Sequence, residues 1–190
     1  MAEEIGGATG QEPKRPRSRV NCGRLDMRIA RDGTWFYHGS PIGRKEMVRL
    51  FATILERRDD GTYWLASPAE EGIIEVEDAP FLAVELFQAG AGRRQTLSFR
   101  TNMDEIVRLD ALHPLRLADA GRADPSAALQ DDSRGPVPYL LVRKGLEARL
   151  ARAVYYELVE LGVEERRESA PEYGVWSAGL FFPLGALAWD

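Results

Sequence analysis

Only two segments of this sequence place apolar residues at helical spacing, and this scarcity of helices limits the folds available to the chain. The first segment runs to about Arg57 and the second from Gly145 to Leu161. One helix for each half of the chain cannot cover both faces of a parallel sheet. The sequence therefore predicts an α+β fold with antiparallel sheets. The defining apolar residues are Met47, Leu50, Phe51, Ile54 and Leu55 in the first segment, and Leu146, Leu150, Val154, Leu158 and Leu161 in the second.

Short apolar or alternating stretches between turn residues predict strands on both sides of each helix. The aromatic residues 35–37 precede the first helix as residues 139–141 precede the second. This parallel suggests two similar small units, each an antiparallel sheet with one long helix. The predicted strands are residues 25–29, 35–37, 63–66, 73–76, 81–87, 96–100, 106–109, 115–117, 139–142, 163–166 and 174–182.

The composition of the remaining segments divides the chain further. Residues 1–20 have too little apolar surface to repay the entropy of ordering and are predicted to be a flexible tail. The two units are expected at residues 21–100 and 101–190. Residues 118–136 are polar and rich in Asp and Gly, which predicts a long loop or insertion within the second unit.

Charge and cysteine content exclude several classes of protein. The formal net charge is −5, which disfavours a dedicated DNA-binding protein. Cys22 is the single cysteine, so an intrachain disulfide or a multi-cysteine metal site is excluded. The first residues lack the apolar core of a signal peptide, and no stretch is typical of a membrane helix. We therefore expect a cytoplasmic protein without a membrane span.

Familiar catalytic motifs are absent from the sequence. It contains no nucleophile elbow, no phosphate-binding Walker loop, no dinucleotide-binding glycine fingerprint and no zinc-protease helix motif. Glu77 or Asp78 with a divalent ion would be the remaining route to an enzyme. Because no activated nucleophile accompanies them, no catalytic residue, metal ligand or cofactor is assigned.

A composite binding site is better motivated. Tyr37 and Pro41 precede the first predicted helix in the way that Tyr139 and Arg143 precede the second. If the two units pack together, their helix N-termini and aromatic side chains would converge at the seam. Helix N-termini attract anions, aromatic faces stack on bases, and Arg116 or Arg143 would pair with phosphate. Ordinary core packing is the alternative explanation of these aromatic residues.

Several segments together resemble a family of uncharacterised bacterial proteins, the domain of unknown function 1285 family. The resemblance spans roughly residues 20 to 182, and its most specific part is the run at residues 74–81. The matching segments are residues 39–44 (GSPIGR), 60–65 (DGTYWL), 68–70 (PAE), 74–81 (IEVEDAPF), 99–102 (FRTN), 113–116 (HPLR) and 138–143 (PYLLVR).

The resemblance implies a duplicated core whose second half is similar to pleckstrin-homology-like folds. It also implies a pocket between the halves for a nucleotide-like ligand, with a role in signal transduction. On the matching positions, we expect the ligand-binding residues to line or shape that seam. Together with the composite site they are Tyr37, Pro41, Glu77, Asp78, Pro80, Phe81, Thr101, Asn102, His113, Arg116, Tyr139 and Arg143.

Three functions remain open at this point. The first is a regulatory protein that binds a phosphate-bearing small molecule between its units, with Thr101 and Asn102 supplying specific hydrogen bonds. It depends on a polar, aromatic-walled hollow at the crease. The second is a protein–protein interaction module with no small ligand. The third is a metal-dependent enzyme that uses Glu77 or Asp78.

Overall fold

The computed structural model describes residues 19–118, 136–166 and 171–186. A first sheet of six strands has the order β3-β2-β1-β6-β5-β4. A nine-residue helix, α1 (Lys45–Thr53), connects β3 to β4. The strands are β1 (Val20–Ile29), β2 (Trp35–Tyr37), β3 (Ser40–Pro41), β4 (Leu55–Arg57), β5 (Tyr63–Ala66) and β6 (Glu70–Val76).

A second sheet of six strands has the order β10-β11-β12-β7-β8-β9. In both sheets two three-stranded antiparallel meanders lie side by side, and the first strand pairs in parallel with the sixth. The strand order is therefore the same in the two sheets. The strands are β7 (Phe81–Ala89), β8 (Thr96–Thr101), β9 (Ile106–Arg108), β10 (Leu115–Ala118), β11 (Val137–Arg143) and β12 (Leu146–Leu150).

A second nine-residue helix and a small sheet follow. Helix α2 (Arg152–Glu160) leads into β13 (Val163–Arg166), β14 (Pro171–Ser177) and β15 (Leu180–Ala186), which form an antiparallel sheet in that order. The buried Ser177 hydroxyl joins this sheet to the second one. It accepts the Leu97 N–H at 2.9 Å and donates to the Leu109 carbonyl at 2.6 Å. These bonds satisfy two backbone groups that would otherwise be buried without partners.

The mixed α+β class is confirmed, but both helices are shorter than the sequence predicts. Helix α1 ends at Thr53, and Leu55 begins a strand that pairs with β5. In the second segment Leu146 and Leu150 are buried on strand β12, with Ala148 between them on the same face. Leucines four residues apart fit both a helix and alternate positions of a strand, and here the strand pairing with β11 prevails.

The expectation of purely antiparallel sheets is wrong at the centre of each sheet, where β1 pairs with β6 and β12 with β7 in parallel. The change from the first sheet to the second lies between Val76 and Phe81. It comes earlier than the division expected at residues 100 and 101, because β7 and β8 pair within the second sheet. The topology also relates β11 to β5, the fifth strand of each sheet, rather than to β2 as the aromatic residues suggested.

Two segments singled out in the sequence fall mainly outside the described residues. Of the predicted tail, residues 1–18 lie outside, whereas Val20 begins β1. Of the predicted polar loop, residues 119–135 lie outside, and Ala118 ends β10.

The buried apolar side chains form one continuous core across both large sheets. It includes Ile29 and Trp35 of the first sheet, Phe81 and Phe99 of the second, and Leu158 of α2. The expected hollow at the crease is therefore wrong for the interior of the molecule, because apolar packing fills it. Among the described residues, polar side chains from the two sheets meet where the seam reaches the surface.

Candidate functional site

At one part of the seam, the β4–β5 hairpin of the first sheet meets the β11–β12 hairpin of the second. The Arg57 guanidinium donates to the Gly145 carbonyl at 3.3 Å and lies 5.6 Å from the centre of the Tyr63 ring. Arg57 and Tyr63 are brought together because they are paired across the β4–β5 hairpin. Among the residues that the structure describes, Arg57 has no carboxylate partner within ion-pair distance.

Tyr139 lies on the second sheet's side of this seam. Its hydroxyl donates to Asp78 Oδ1 at 2.6 Å, and Arg149 approaches Asp78 Oδ2 at 3.5 Å. Asp78 belongs to the segment between the two sheets, so this contact ties the connection to β11 and β12. Burial, then the hydrogen bond to Asp78 and the charge of that carboxylate, raises the pKa of Tyr139. The hydroxyl therefore stays protonated and acts as a donor at neutral pH.

Arg116 covers the outer side of Tyr139. Its guanidinium lies 4.5 Å from the centre of the Tyr139 ring and donates to both Glu147 oxygens, at 2.8 and 2.7 Å. Arg116, Tyr139 and Arg149 occupy paired positions on β10, β11 and β12. The hydrogen bond to Glu147 raises the pKa of Arg116, so its charge is permanent. The side chain is 51% exposed and remains open to solvent on one side.

Tyr63, beside Arg57 on the first sheet, lies near the charged groups of the second sheet. Burial raises the pKa of the Tyr63 phenol, and the charges acting on it come from Arg57, Glu147, Asp78 and Arg116. We refer to this group as the Tyr63–Tyr139 cluster. It combines three guanidiniums and two carboxylates with two phenols, and consists of Arg57, Tyr63, Asp78, Arg116, Tyr139, Glu147 and Arg149.

Arg143 lies at a different part of the seam, against the C-terminal end of α1. It donates to the Ala52 carbonyl at 2.8 Å, forms an ion pair with Glu105, and lies 5.1 Å from the centre of the Phe81 ring. The expectation that helix N-termini meet at the seam is therefore wrong for α1. A guanidinium at a helix C-terminus binds a carbonyl that has no partner within the helix and favours the negative end of the helix dipole.

A groove of about 270 Å³ opens beside this contact. We refer to it as the Arg143 groove. It lies between α1 and the turn after β8, where Arg49 of the helix forms an ion pair with Asp104 of the turn. Its lining residues are Arg49, Ala52, Thr53, Met103, Glu105 and Arg143.

Thr101 and Asn102 have structural partners. The buried Thr101 hydroxyl accepts the backbone N–H groups of Met103 and Glu105, which closes the turn after β8. Asn102 accepts the Leu82 N–H at 3.0 Å, and its backbone N–H donates to the Leu82 carbonyl at 2.8 Å. The side-chain amide also fills the space in front of Gly33, where a Cβ would lie 2.6 Å from its nitrogen. Asn102 thus holds the turn after β8 against β7 and packs against Gly33 of the β1–β2 turn.

The remaining predicted site residues lie outside both parts of the seam or within the core. Glu77 forms an ion pair with Arg28 and accepts the backbone N–H of Arg31 at 2.9 Å. Pro80 and Phe81 are buried. Tyr37 and Pro41 are exposed near the β3 edge of the first sheet, and the Tyr37 ring centre lies 4.1 Å from that of His38.

His113 belongs to the turn between β9 and β10. Its Nδ1 lies 3.0 Å from Asp110 Oδ1, and Asp110 also accepts the backbone N–H groups of Leu112 and His113. Burial alone would raise the pKa of Asp110, but hydrogen bonds from Arg108, His113 and these backbone groups lower it to about 2. The ionised carboxylate therefore requires His113 to donate from Nδ1.

The structure thus brings together Asp78, Arg116 and Tyr139 of the predicted site, with Arg143 and Phe81 at a separate part of the seam. Sequence reasoning missed Arg57, Tyr63, Glu147 and Arg149. Tyr63 lies within a matching segment, and its place opposite Arg57 follows once residues 55–57 are assigned to a strand. Glu147 and Arg149 were hidden by the helix predicted for residues 145–161.

Two further structural findings bear on the open functions. Within the described ranges, no three histidine, cysteine or carboxylate side chains gather as a metal site would require. The described part of the chain has no helix of the length and apolar character needed to cross a membrane. Asp78, one of the two carboxylates considered for a metal-dependent enzyme, already accepts a hydrogen bond from Tyr139 and pairs with Arg149.

Comparisons with known proteins agree on one family. Residues 16–79 match the model described as domain of unknown function (DUF1285), N-terminal domain, and residues 80–184 match protein of unknown function (DUF1285), C-terminal domain. A crystal structure of a DUF1285 family protein from Silicibacter pomeroyi is 41% identical, with a TM-score of 0.77. This match covers 95% of this chain and 91% of that one.

A second solved structure is more distant. It is a DUF1285 family protein from Shewanella baltica, 28% identical with a TM-score of 0.54, and the match covers 72% of this chain and 91% of that one. No curated protein matches the chain.

Proposed function

The chain belongs to the DUF1285 family, and we propose that it is a regulatory protein that binds a phosphate-bearing, nucleotide-like small molecule at the Tyr63–Tyr139 cluster. One observation supports this more than any other. The Arg57 guanidinium of the first sheet reaches the Gly145 carbonyl of the second, and Arg116 of the second sheet lies 4.5 Å from the centre of the Tyr139 ring, so cations from both units line this part of the seam. A ligand held there would contact both units. A regulatory ligand needs such contacts if it is to change how the two units are arranged.

The charge balance of the cluster favours an anion. Its three guanidiniums exceed its two carboxylates, Asp78 and Glu147, by one positive charge. Arg57 has no ion-pair partner among the described residues, so a phosphate would bind it without displacing a carboxylate. The Tyr63 hydroxyl, held protonated by its raised pKa, would donate to a phosphate oxygen.

The planar groups of the cluster suit a nucleotide base. Arg116 already lies over the Tyr139 ring, and its outer side is open to solvent. Bases stack on guanidinium planes as well as on aromatic rings. A base on Arg116 with its phosphate near Arg57 would span the seam. The finer likeness of the second unit to pleckstrin-homology-like folds, a cytoplasmic location and a role in signal transduction form part of this proposal.

Calorimetry with the full chain tests the proposal. The probes are inorganic phosphate and a panel of mono-, di- and cyclic nucleotides. We expect at least one nucleotide to bind, and Arg57→Ala and Arg116→Ala each to weaken its affinity about tenfold or more, the loss of one charge-assisted contact. Equal affinities for inorganic phosphate and for a nucleotide would show that the base contributes nothing, and would contradict the nucleotide part of the proposal.

Arg24→Ala is the matched control. Arg24 is 73% exposed and pairs with Glu75. Arg24 is paired with Ile73 of β6, and Tyr63 is paired with the next residue, Ile74. Because adjacent residues of a strand point to opposite faces, Arg24 and Tyr63 lie on opposite faces of the first sheet. The proposal is wrong if no nucleotide binds, or if Arg24→Ala reduces affinity as much as the two cluster variants do.

A protein–protein interaction module remains the second candidate, because α1 exposes apolar side chains. Met47 and Leu50 lie one helical turn apart, and Leu50 is 63% exposed. Under this alternative, Leu50→Asp would abolish partner binding, while the melting temperature would respond to no nucleotide.

A further inference from the structure

The Arg143 groove has a charge pattern different from that of the Tyr63–Tyr139 cluster. Two guanidiniums, Arg49 and Arg143, and one carboxylate, Glu105, line it, and Asp104 pairs with Arg49 beside it. We propose that this groove is a second binding site, one that takes a small zwitterion, namely a free α-amino acid.

The presence of both signs of charge in the lining argues for a zwitterion. A simple anion would leave the Glu105 carboxylate facing it, and a simple cation would face both guanidiniums. An α-amino acid carries an ammonium and a carboxylate on one carbon, so its two charges lie side by side. The contact between Arg143 and Glu105 presents the same pair with the signs reversed. The ligand carboxylate would bind the guanidinium, and its ammonium would bind Glu105.

The helix end adds to the preference for an ammonium group. Ala52 and Thr53 form the last turn of α1, and both line the groove. The C-terminal end of a helix bears a partial negative charge, which attracts cations within the last turn. A ligand oriented with its ammonium toward Thr53 and Glu105 would gain from both.

Opening the groove to a ligand is inexpensive because its ion pairs are exposed. The side chains of Arg49 and Asp104 are 43% and 46% exposed. Exposed ion pairs contribute little to stability, so a ligand that replaces one pair by two charge-assisted contacts gains on balance. The Ala52 carbonyl keeps Arg143 in position throughout, since it binds a different nitrogen of the guanidinium.

The size and floor of the groove indicate which side chain it accepts. Its volume of about 270 Å³ is just below the usual range of drug-sized pockets, which run from about 300 to 1,000 Å³. Met103 and Ala52 give it an apolar floor. An amino acid with a medium-sized apolar side chain would cover this floor, and methionine side chains adapt to ligands of somewhat different shape.

The test is a calorimetric titration of the full chain with single L-amino acids, beginning with leucine, methionine and valine. Each has matched probes, the N-acetyl derivative without the ammonium and the amide without the carboxylate. We expect at least one free amino acid to bind in the micromolar to millimolar range, and both blocked forms to lose about tenfold or more in affinity. Binding of a blocked form as tight as that of the free amino acid would overturn the proposal, and so would the absence of binding by all three.

Glu105→Gln and Arg49→Gln place the site on the molecule. Both changes are on exposed side chains, so the variants are expected to fold, and circular dichroism checks this. Each should weaken amino-acid binding about tenfold, whereas Glu75→Gln, which removes the exposed partner of Arg24, should leave it unchanged. Equal effects of Glu75→Gln and Glu105→Gln would overturn the assignment. Arg57→Ala should also leave amino-acid binding unchanged, which separates this site from the Tyr63–Tyr139 cluster.

Discussion

The two large sheets have the same strand order but differ in the connection between their third and fourth strands. In the first sheet this connection is helix α1, which buries Val48 and Ala52 against the core. In the second sheet it is a tight turn centred on Asp110, which binds Arg108, His113 and two backbone N–H groups. The same strand order is thus completed by a packed helix in the first sheet and by a hydrogen-bonded turn in the second. The strand order itself does not require a helix.

This difference predicts that the two halves respond alike to damage in the shared core and differently to changes at the two connections. The experiments below are arranged from the largest expected effect to the smallest.

Loss of a core side chain should affect both halves together. Ile29 lies in the first sheet and Phe99 in the second, and both are fully buried in one continuous core. We expect Ile29→Ala to destabilise the chain by about 2–5 kcal/mol and Phe99→Ala by about 3–5 kcal/mol. Urea denaturation followed by tryptophan fluorescence and by far-ultraviolet circular dichroism should give one coincident transition for each variant.

The comparison fails if the halves unfold separately. Two transitions, with Ile29→Ala shifting one and Phe99→Ala the other, would show two independent cores. Leu112→Ala serves as a control, since Leu112 is highly exposed and its truncation should change the stability by less than about 0.5 kcal/mol.

The polar connection should respond to acid. The pKa of Asp110 is lowered from 3.8 to about 2 in the folded chain, so its ionised form stabilises the fold fully above about pH 4. That contribution is lost as the pH falls through the range from 3.8 to about 2. We expect Asp110→Asn to cost about 2 kcal/mol at pH 7 and progressively less as the pH falls through this range, as measured by urea denaturation at each pH.

The matching control on the helical connection is uncharged. Val48→Ala removes buried methyl groups from α1, so its cost should be independent of pH over the same range. The destabilisation by each variant is compared at every pH. If both values changed with pH in the same way, the lowered pKa of Asp110 would not explain the pH dependence of Asp110→Asn.

The smallest effect concerns the two arginines near α1. Arg143→Ala removes a hydrogen bond to the Ala52 carbonyl and an ion pair, and should destabilise the chain by about 1–2 kcal/mol. Arg49→Ala removes only an exposed ion pair and should cost less than about 1 kcal/mol. Thermal denaturation at low and high salt checks this, because the cost of Arg49→Ala should vanish in salt. Equal costs for the two variants would contradict a capping role for Arg143.

Much of the fold could be predicted because strands and turns have local signals. Residues 63–66 and 163–166 were predicted as strands with the observed bounds. The errors occur where one pattern fits two structures. Leu146 and Leu150 fit a helix as well as a strand, and only pairing with β11 and with β7, which is distant in sequence, decides between them. The parallel closure of each sheet depends on the same kind of distant pairing.

The candidate site was less predictable because it depends on contacts between distant segments. Asp78 and Tyr139 are 61 residues apart, and Arg57 and Gly145 are 88 apart. Asp78 was selected on resemblance, Tyr139 on resemblance and on its place before the second predicted helix, and Arg116 as a phosphate partner. All three converge in the structure. Arg143 was selected as a phosphate ligand, but it binds a helix carbonyl, because the position of α1 relative to the second sheet has no local signal.

The parallel pairing of first and last strands has a mechanical consequence. Val20 lies beside Glu70 and Ile29 beside Val76, so the chain enters the first sheet at one end of the β1–β6 pair and leaves at the other. In the second sheet, β7 and β12 are likewise paired in parallel. Tension along the chain would therefore slide these strands past each other and strain many of their backbone hydrogen bonds at once, instead of peeling them apart one by one. Each half should behave as a clamp under load.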